Sequence, residues 1–419
     1  MTKTQALRVS KKRLTNEETK VPIYRNGGKP SDPATVTRTT PLSKLNLNWS
    51  EGELPERTRT KHVHRLHPYL GKFIPQLVEI FLRKYFDEND VVLDPFCGSG
   101  TTLVQASELG IPSIGYDISA FNILLCEAKL TNYDVGRARK EAFSVLEGSR
   151  SGNGDSKQIN LWPTAAKGLI LQPGDNSYLK TWFAPQALRE LLLYRANLEE
   201  RNFRYKNLMK VILSRSARSA RLTTHFDLDF PKKPQTKPYH CYKHSRECAP
   251  TTSAMKFLER YTLDSIERIE EFSLIRTQVP SKAVHGDSKN AKLPRISGVI
   301  TSPPYLGLID YHEQHAYAYH LLGLKDKREK EIGAAVKGSG RKAKAEYIEG
   351  ITAVFENALS SMKTNGRMII VANDKHEIYP SIAEKLGVKV EGVVQRHVNR
   401  RTGRRSSDFF ESIFIWRKP

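Results

Sequence analysis

Short β-branched runs alternate with helix-period stretches near the two ends of the chain, but not in its middle. Val91-Val92-Leu93 reads as a buried strand, followed by Leu103–Leu109 as a helix that Gly110 closes. Ser113–Asp117 reads as the next strand. Upstream, Gln76–Leu82 is an apolar helix, and Pro75 suits its first turn. The same rhythm resumes late in the chain. Ala283–Asp287, Gly298-Val299-Ile300 and Arg367–Val371 read as strands, and Val388–Val398 with Ser412–Trp416 as a closing antiparallel hairpin turned by Asn399–Arg405. Between the two blocks, Trp182–Leu198 and Met255–Ile275 have helical patterns, with Leu188, Leu191, Leu192, Leu198 and then Leu258, Ile266, Ile269, Phe272 inward. Leu222–Pro250 reads as loop, and Lys325–Lys344 as a charged, glycine-containing loop. The pattern therefore predicts an α/β fold with a mostly parallel sheet over residues 46–130 and 281–419. A largely helical region, 131–280, is inserted into it, and residues 1–45 precede it as a polar, basic, flexible arm.

Charge adds a partner to this outline. Among 419 residues, Lys and Arg number 67 against 45 Asp and Glu, a formal net charge of +22. That excess points to a polyanion, nucleic acid first, with a solvated basic surface as the plain alternative. Arg215, Arg218 and Arg221 recur at every third position of Lys206–Leu222, as a phosphate-contacting ridge or a solvated face. Arg404 and Arg405, in the turn of the last hairpin, are further candidates for DNA contact. The loop Lys325–Lys344 reads either as a flap over DNA or as a surface insertion. Four cysteines, Cys97, Cys126, Cys241 and Cys248, do not form a disulfide framework and suggest a reducing cytoplasm. No apolar run is long enough to span a membrane, and the N-terminus lacks the apolar segment of a signal peptide. Cys241, His244 and Cys248, with His240 or His225, have the chemistry of metal ligands. They lack a second clean Cys-x-x-Cys, so no metal is expected and loop residues facing DNA or the interior are the favoured account.

Candidate chemistry concentrates in two loops. Asp94-Pro95-Phe96-Cys97-Gly98-Ser99-Gly100-Thr101-Thr102 lies between a strand and a helix. Gly98 and Gly100 let backbone approach a ligand closely, and the helix start supplies free N–H groups. Asp117 ends the following strand about twenty residues on, where an acid can hold a ribose. The third glycine of a dinucleotide fingerprint is missing, so one nucleoside with a charged tail fits better. Thr301-Ser302-Pro303-Pro304-Tyr305 follows an apolar strand directly, at the end where α/β sheets bind ligands. Its prolines stiffen the backbone and leave carbonyl acceptors. Ser302 adds an acceptor and Tyr305 an aromatic face, which together suit a planar, amine-bearing base.

These two motifs together resemble the S-adenosylmethionine-dependent DNA amino-methyltransferases, which modify N4 of cytosine or N6 of adenine. The resemblance covers about 65–130 and 280–419 and implies a Rossmann-like methyltransferase sheet. It places Phe96, Gly98 and Gly100, with Pro95 and Thr101, along the methionine part of S-adenosyl-L-methionine, and Asp94 near its amino group. It gives Asp117, with Ile118, to the ribose and Asp287 to the adenine. His67–Pro75, including Phe73, resembles the remaining cofactor wall. Ser302, Pro303, Pro304 and Tyr305 are the implied catalytic loop, acting on a base flipped out of double-stranded DNA. Many family members place Ser-Pro-Pro-Tyr before the glycine motif; here it follows. Serine at the first position leans towards cytosine N4, since adenine enzymes more often carry Asp or Asn there. No cysteine follows a proline, which disfavours carbon-5 cytosine chemistry. The alternatives weighed are an N6-adenine enzyme, an RNA amino-methyltransferase and a DNA-binding protein without turnover. The implied setting is a restriction–modification system, with any endonuclease acting separately, and a monomeric enzyme in a prokaryotic or phage-infected cytoplasm.

Overall fold

The structure, a computed structural model, describes residues 21–151, 176–228, 231–398 and 409–419. Its strands are β1 (Ile23–Tyr24), β2 (Val92–Asp94), β3 (Ser113–Asp117), β4 (Tyr239–Cys241), β5 (Arg246–Cys248), β6 (Ser281–His285), β7 (Ile296–Thr301), β8 (Met362–Ala372), β9 (Lys389–Val398) and β10 (Phe409–Arg417). Eight of them form one sheet in the order β1-β9-β10-β8-β7-β2-β3-β6, and β4 with β5 forms a separate hairpin. From β6 across β3, β2 and β7 to β8 the pairing is parallel. β10 then lies antiparallel between β8 and β9. The mostly parallel sheet and the closing hairpin are thus as the sequence predicts.

Side-chain alternation fixes the two faces. Ile369 and Val371 of β8, with Ile413 and Ile415 of β10, pack with Leu77, Ile80 and Phe81 of the helix Pro75–Tyr85. Met368, Ile370, Phe414 and Trp416 point the other way, into a core shared with Ile351, Val354 and Phe355 of the helix Arg341–Ser361. This is the period of two that a strand imposes, and a one-residue slip would exchange the faces. β7 is buried along its whole length, which explains its uninterrupted apolar run. Within it, a Cβ on Gly298 would fall 2.4 Å from the Arg367 carbonyl oxygen, so β7 and β8 can pair here only through glycine.

The inserted region shares the core of the sheet domain. It contains the helices Pro185–Glu200, Lys206–Ala220 and Met255–Ser273. Leu191, Met209, Ile212, Leu258, Ile266 and Phe272 join Phe121 and Leu125 of the helix Ala120–Leu130 in one cluster. The helical run read from Trp182 is split: Ser177–Trp182 ends there, and Pro185 starts a new helix. Leu222–Pro250 holds the β4–β5 hairpin, which strands of three residues each were too short to announce.

The reading of 1–45 as an arm is corrected for residues 21–45. β1 extends the sheet beside β9, and Val36 and Leu45 are buried beneath the helix Pro75–Tyr85. These apolar residues are too sparse to register as an element, yet each fills a gap in the core. Residues 1–20 and 399–408, which include the expected turn Asn399–Arg405 with Arg404 and Arg405, lie outside the described residues.

Candidate active site

The chain leaves β2 for β3 and only later returns to set β7 on the other side of β2. Loops leaving two such parallel neighbours diverge, and a crevice opens at their carboxyl ends. The loop of Asp94–Thr102 leaves β2, and that of Ser302–Tyr305 leaves β7. They are joined directly: the Thr301 hydroxyl donates to Asp94 Oδ1 at 2.6 Å, across 207 positions of sequence.

Asp94 holds this junction from behind. Its Oδ2 accepts from the Thr102 hydroxyl at 2.7 Å, and its Oδ1 also accepts the Phe96 N–H at 3.2 Å. The side chain is 1% exposed. Burial pushes its carboxyl up to about 6, although the three hydrogen bonds favour the charged form. Asp94 is not on the cleft wall: both of its oxygens are engaged by the protein, and Pro95 and Phe96 line the cleft beside it.

The two glycines of the turn have positive φ, +49° at Gly98 and +79° at Gly100. A Cβ at Gly100 would sit 2.9 Å from Cys126 Sγ, so this glycine serves close packing on the helix Ala120–Leu130. Gly98 faces the cleft. Its N–H donates to Asp117 Oδ2 at 2.9 Å, and the Ser119 N–H donates to Oδ1 at 2.8 Å. Burial raises the Asp117 carboxyl against these bonds.

The cleft encloses about 870 Å³, counting the solvent at its mouth. Phe73, Pro95, Phe96, Gly98, Thr101, Asp117, Ile118, Asp287, Ser302 and Pro304 line it, so most of the residues named from sequence converge. His67, Pro75, Gly100, Pro303 and Tyr305 are not on its wall. The buried His67 ring instead contacts the Pro68 carbonyl at 2.7 Å, Ser214 Oγ at 3.3 Å and Tyr317 Oη at 3.4 Å. Pro75 opens the helix Pro75–Tyr85.

The loop Ser302–Tyr305 is braced from outside. The Tyr305 hydroxyl donates to Glu411 Oε1 at 2.8 Å, and Arg396 donates to Glu411 Oε2 at 3.2 Å. Burial, with the Glu411 carboxylate second, holds the Tyr305 phenol well above its ordinary value. The Pro304 carbonyl accepts from the Tyr347 hydroxyl at 2.8 Å, which lies 2.9 Å from the Tyr379 hydroxyl.

Tyr69, within the His67–Pro75 segment expected at the cofactor wall, stacks on Tyr311 at 5.7 Å and on His315 at 5.3 Å, closing one side. Sequence reasoning missed Tyr311 and Glu331. Glu331 comes from the charged loop Lys325–Lys344, which at this point lines the cleft and is more than a surface insertion. Its Oε1 pairs with His312 Nδ1 and accepts the His312 N–H at 3.1 Å. No periodicity marks these residues; only the chain's return over the cleft brings them in.

Two of the three arginines read as a phosphate ridge are corrected. Arg215 is buried against Asp264, its guanidinium 4.1 Å from the Tyr261 ring centroid. Arg221 is 2% exposed, lies 4.5 Å over Tyr317 and donates to the Leu228 carbonyl. The helix Lys206–Ala220 packs into the shared core and turns Arg215 inward with the leucines, while Arg221 follows its last turn in an extended conformation. Arg218 is half-buried on the same helix.

An acid-lined crevice at the switch point of a parallel sheet defines a nucleoside-binding α/β protein. Comparison with known proteins narrows the class. A family model described as DNA methylase, of the N6 and N4 type, matches residues 3–126. The type II methyltransferase M.MjaII of Methanocaldococcus jannaschii is 38% identical over 442 residues, covering 88% of this chain and 83% of that protein. M.BsoBI of Geobacillus stearothermophilus is 25% identical over 298 residues, or 67% of this chain and 56% of that protein. M.MvaI of Kocuria varians is 24% identical over 260 residues, or 59% and 54%. The chain belongs to the S-adenosylmethionine-dependent DNA amino-methyltransferases. Its cofactor is S-adenosylmethionine, and its substrate class is DNA. Among the described residues no helix is long and apolar enough to cross a membrane.

The cleft fits that cofactor on its own terms. Three buried polar atoms on its wall, Ser99 Oγ, Asn122 Oδ1 and Glu331 Oε2, find no partner among the described residues. Unpartnered buried polar atoms are costly, and a bound polar ligand relieves them. Asp117, Asp287 and Glu331 supply negative charge for a cationic ligand with a diol, and Tyr69, Phe73 and Phe96 supply aromatic surface for its adenine and aliphatic parts.

Proposed function

We propose that this enzyme methylates the exocyclic N4 of a cytosine flipped out of double-stranded DNA. The observation that carries the reading is the Thr301–Asp94 bond, which holds Ser302 at the rim of the same cleft as Phe96, Gly98 and Asp117. S-adenosylmethionine supplies a methyl group activated by its sulfonium. The protein's task is to make a poor nucleophile attack it, because the amine lone pair is delocalised into the ring. Ser302 Oγ and the Pro303 carbonyl accept hydrogen bonds from the amine. They draw the nitrogen towards tetrahedral geometry, free the lone pair and stabilise positive charge as it develops. Tyr305 stacks on the base, its ring held in place by the Glu411 bond at 2.8 Å. Asp117 and Asp287 hold the ribose and adenine ends of the cofactor, and Phe96 and Gly98 its methionine end.

Serine, in place of an acid or amide, at position 302 supports cytosine over adenine. The inserted region 131–280 is assigned to target recognition, and residues 1–20 with Arg404 and Arg405 to backbone contact. The enzyme acts as a cytoplasmic monomer in a restriction–modification system whose nuclease is a separate protein.

The test is transfer of tritium from labelled S-adenosylmethionine to duplex DNA, followed by nucleoside mass spectrometry. N4-methylcytosine is expected. N6-methyladenine alone would overturn the base assignment, and label in RNA but not DNA the substrate.

A further inference from the structure

Away from the cleft, the loop Leu222–Pro250 gathers four side chains that methyl transfer does not use. His225, Cys241, His244 and Cys248 each place a donor atom within 4.8 Å of all the others. Cys241 Sγ lies 3.5 Å from His225 Nδ1 and 3.6 Å from His244 Nδ1, and His244 Nδ1 lies 3.4 Å from Cys248 Sγ. A tetrahedral zinc ion with bonds of about 2.3 Å to sulfur and about 2.0 Å to nitrogen requires sulfur–nitrogen edges of roughly 3.5 Å. All three measured separations match that edge. Two thiolates and two imidazoles in a tetrahedron are the donor set that selects zinc among the common divalent ions. The thiolates also cancel the charge of the ion, so nearby Lys243 and Arg246 do not oppose it.

The backbone is shaped for the purpose. β4 ends at Cys241, and the His244 N–H closes a tight turn on the Cys241 carbonyl at 3.0 Å. Ser245 then takes a positive φ of +49°, which sends β5 back to Cys248. His225, sixteen positions before Cys241, is held over the hairpin by its N–H, which donates to the Tyr239 hydroxyl at 3.0 Å. That hydroxyl also lies 3.0 Å from His225 Nδ1 and yields this nitrogen to a metal. A two-stranded hairpin of three-residue strands is too small to be stable by itself. The tip nonetheless carries an aromatic, Tyr242, at 82% exposure. Something other than an apolar core must hold it. A second group, His62, His64 and Glu108, is less suited: it offers three donors, and the Lys61 ammonium already lies 2.5 Å from the Glu108 carboxylate.

We infer that His225, Cys241, His244 and Cys248 bind one zinc ion, a closed structural site that staples the β4–β5 hairpin. With four protein ligands no position remains open for substrate, so the ion takes no part in methyl transfer. The site stands whether or not the cytosine reading holds.

Elemental analysis tests it on the full-length protein purified without chelator. About one zinc per chain is expected. The double variant Cys241→Ser, Cys248→Ser is expected to retain at least ~10-fold less. Cobalt reconstitution of the wild type should give the visible bands of tetrahedral cobalt bound to thiolate. His244→Asn, which keeps all four thiols of the chain, should weaken them. If the double variant does not fold, the wild-type zinc content and cobalt spectrum still decide. Less than ~0.1 zinc per chain after incubation with zinc and desalting would overturn the site, as would full retention in a folded double variant.

Discussion

At the scale of single residues, Asp94 is the most connected position. Its carboxylate accepts from Thr102, Thr301 and Phe96 N–H in a fully buried setting. Asp94→Ala leaves these donors unsatisfied and is expected to cost ~2–4 kcal/mol, read as a lower urea midpoint. An unchanged midpoint would show the hub to be incidental. Ser302 and Tyr305 should behave differently, because in the proposed mechanism they act on the base, and only the Tyr305 hydroxyl bonds to the sheet, at Glu411. Ser302→Ala and Tyr305→Ala are each expected to lose ~10²-fold or more in turnover while calorimetry shows cofactor affinity unchanged. Full turnover in both variants would remove their assigned roles. Lys72 gives a pH signature. Burial first, and the Lys129 ammonium second, hold its ammonium down at about 7 against an ordinary 10.5. The unfolded chain therefore keeps a proton that the folded one releases, and stability contributed through Lys72 rises with pH between those two values. Urea unfolding at about pH 7 and about pH 9 should show a larger gain in the wild type than in Lys72→Met. Equal gains would mean that this lysine is not desolvated.

At the scale of elements, the site depends on β2 and β7 being neighbours, and β7 is fixed by its contact with β8. Gly298 sits at that contact, with the Arg367 carbonyl and the Phe86 ring 2.4 Å and 2.7 Å from where a Cβ would lie. The carbonyl is backbone in the middle of the sheet and has nowhere to move. Gly298→Ala is expected to split the pairing and yield aggregated protein, followed as loss of the soluble fraction on expression. Normal yield and normal melting would show that β7 and β8 tolerate a wider spacing. The loop Ser302–Tyr305 is a rigid element for a related reason. Tyr347 holds the Pro304 carbonyl and Glu411 holds the Tyr305 hydroxyl, so neighbouring helix and strand brace it from two sides.

At the scale of the whole molecule, a net charge of +22 is not a simple map of DNA contact. Several cations are internal: Arg215 and Arg268 share Asp264, and Arg396 pairs with Glu411. The remaining positive charge is expected to act through phosphate neutralisation. Duplex affinity measured by fluorescence anisotropy should therefore fall at least ~10-fold between about 50 and 200 mM salt. A flat response would mean that phosphate contacts contribute little. The inserted helices are also a whole-molecule matter. They share one core with the helix Ala120–Leu130 behind the cofactor turn, so changes there reach the cleft through packing.

The sequence by itself determined the strands β2, β3 and β7, the glycine turn, the Ser302–Tyr305 loop and the family they imply. Each is a local signal: β-branched runs, a strand-to-helix glycine turn, and prolines directly after a strand. It could not determine which way a side chain on or just past an amphipathic helix turns, so Arg215 and Arg221 read as a surface and proved to be buried. Nor could it show that Asp94 is bonded to Thr301, that Val36 and Leu45 belong to the sheet domain, or that Glu331 returns over the cleft. Those facts rest on contacts between residues far apart in the chain. Pattern along a sequence records the period of an element; which partner that element meets is decided only when the chain packs.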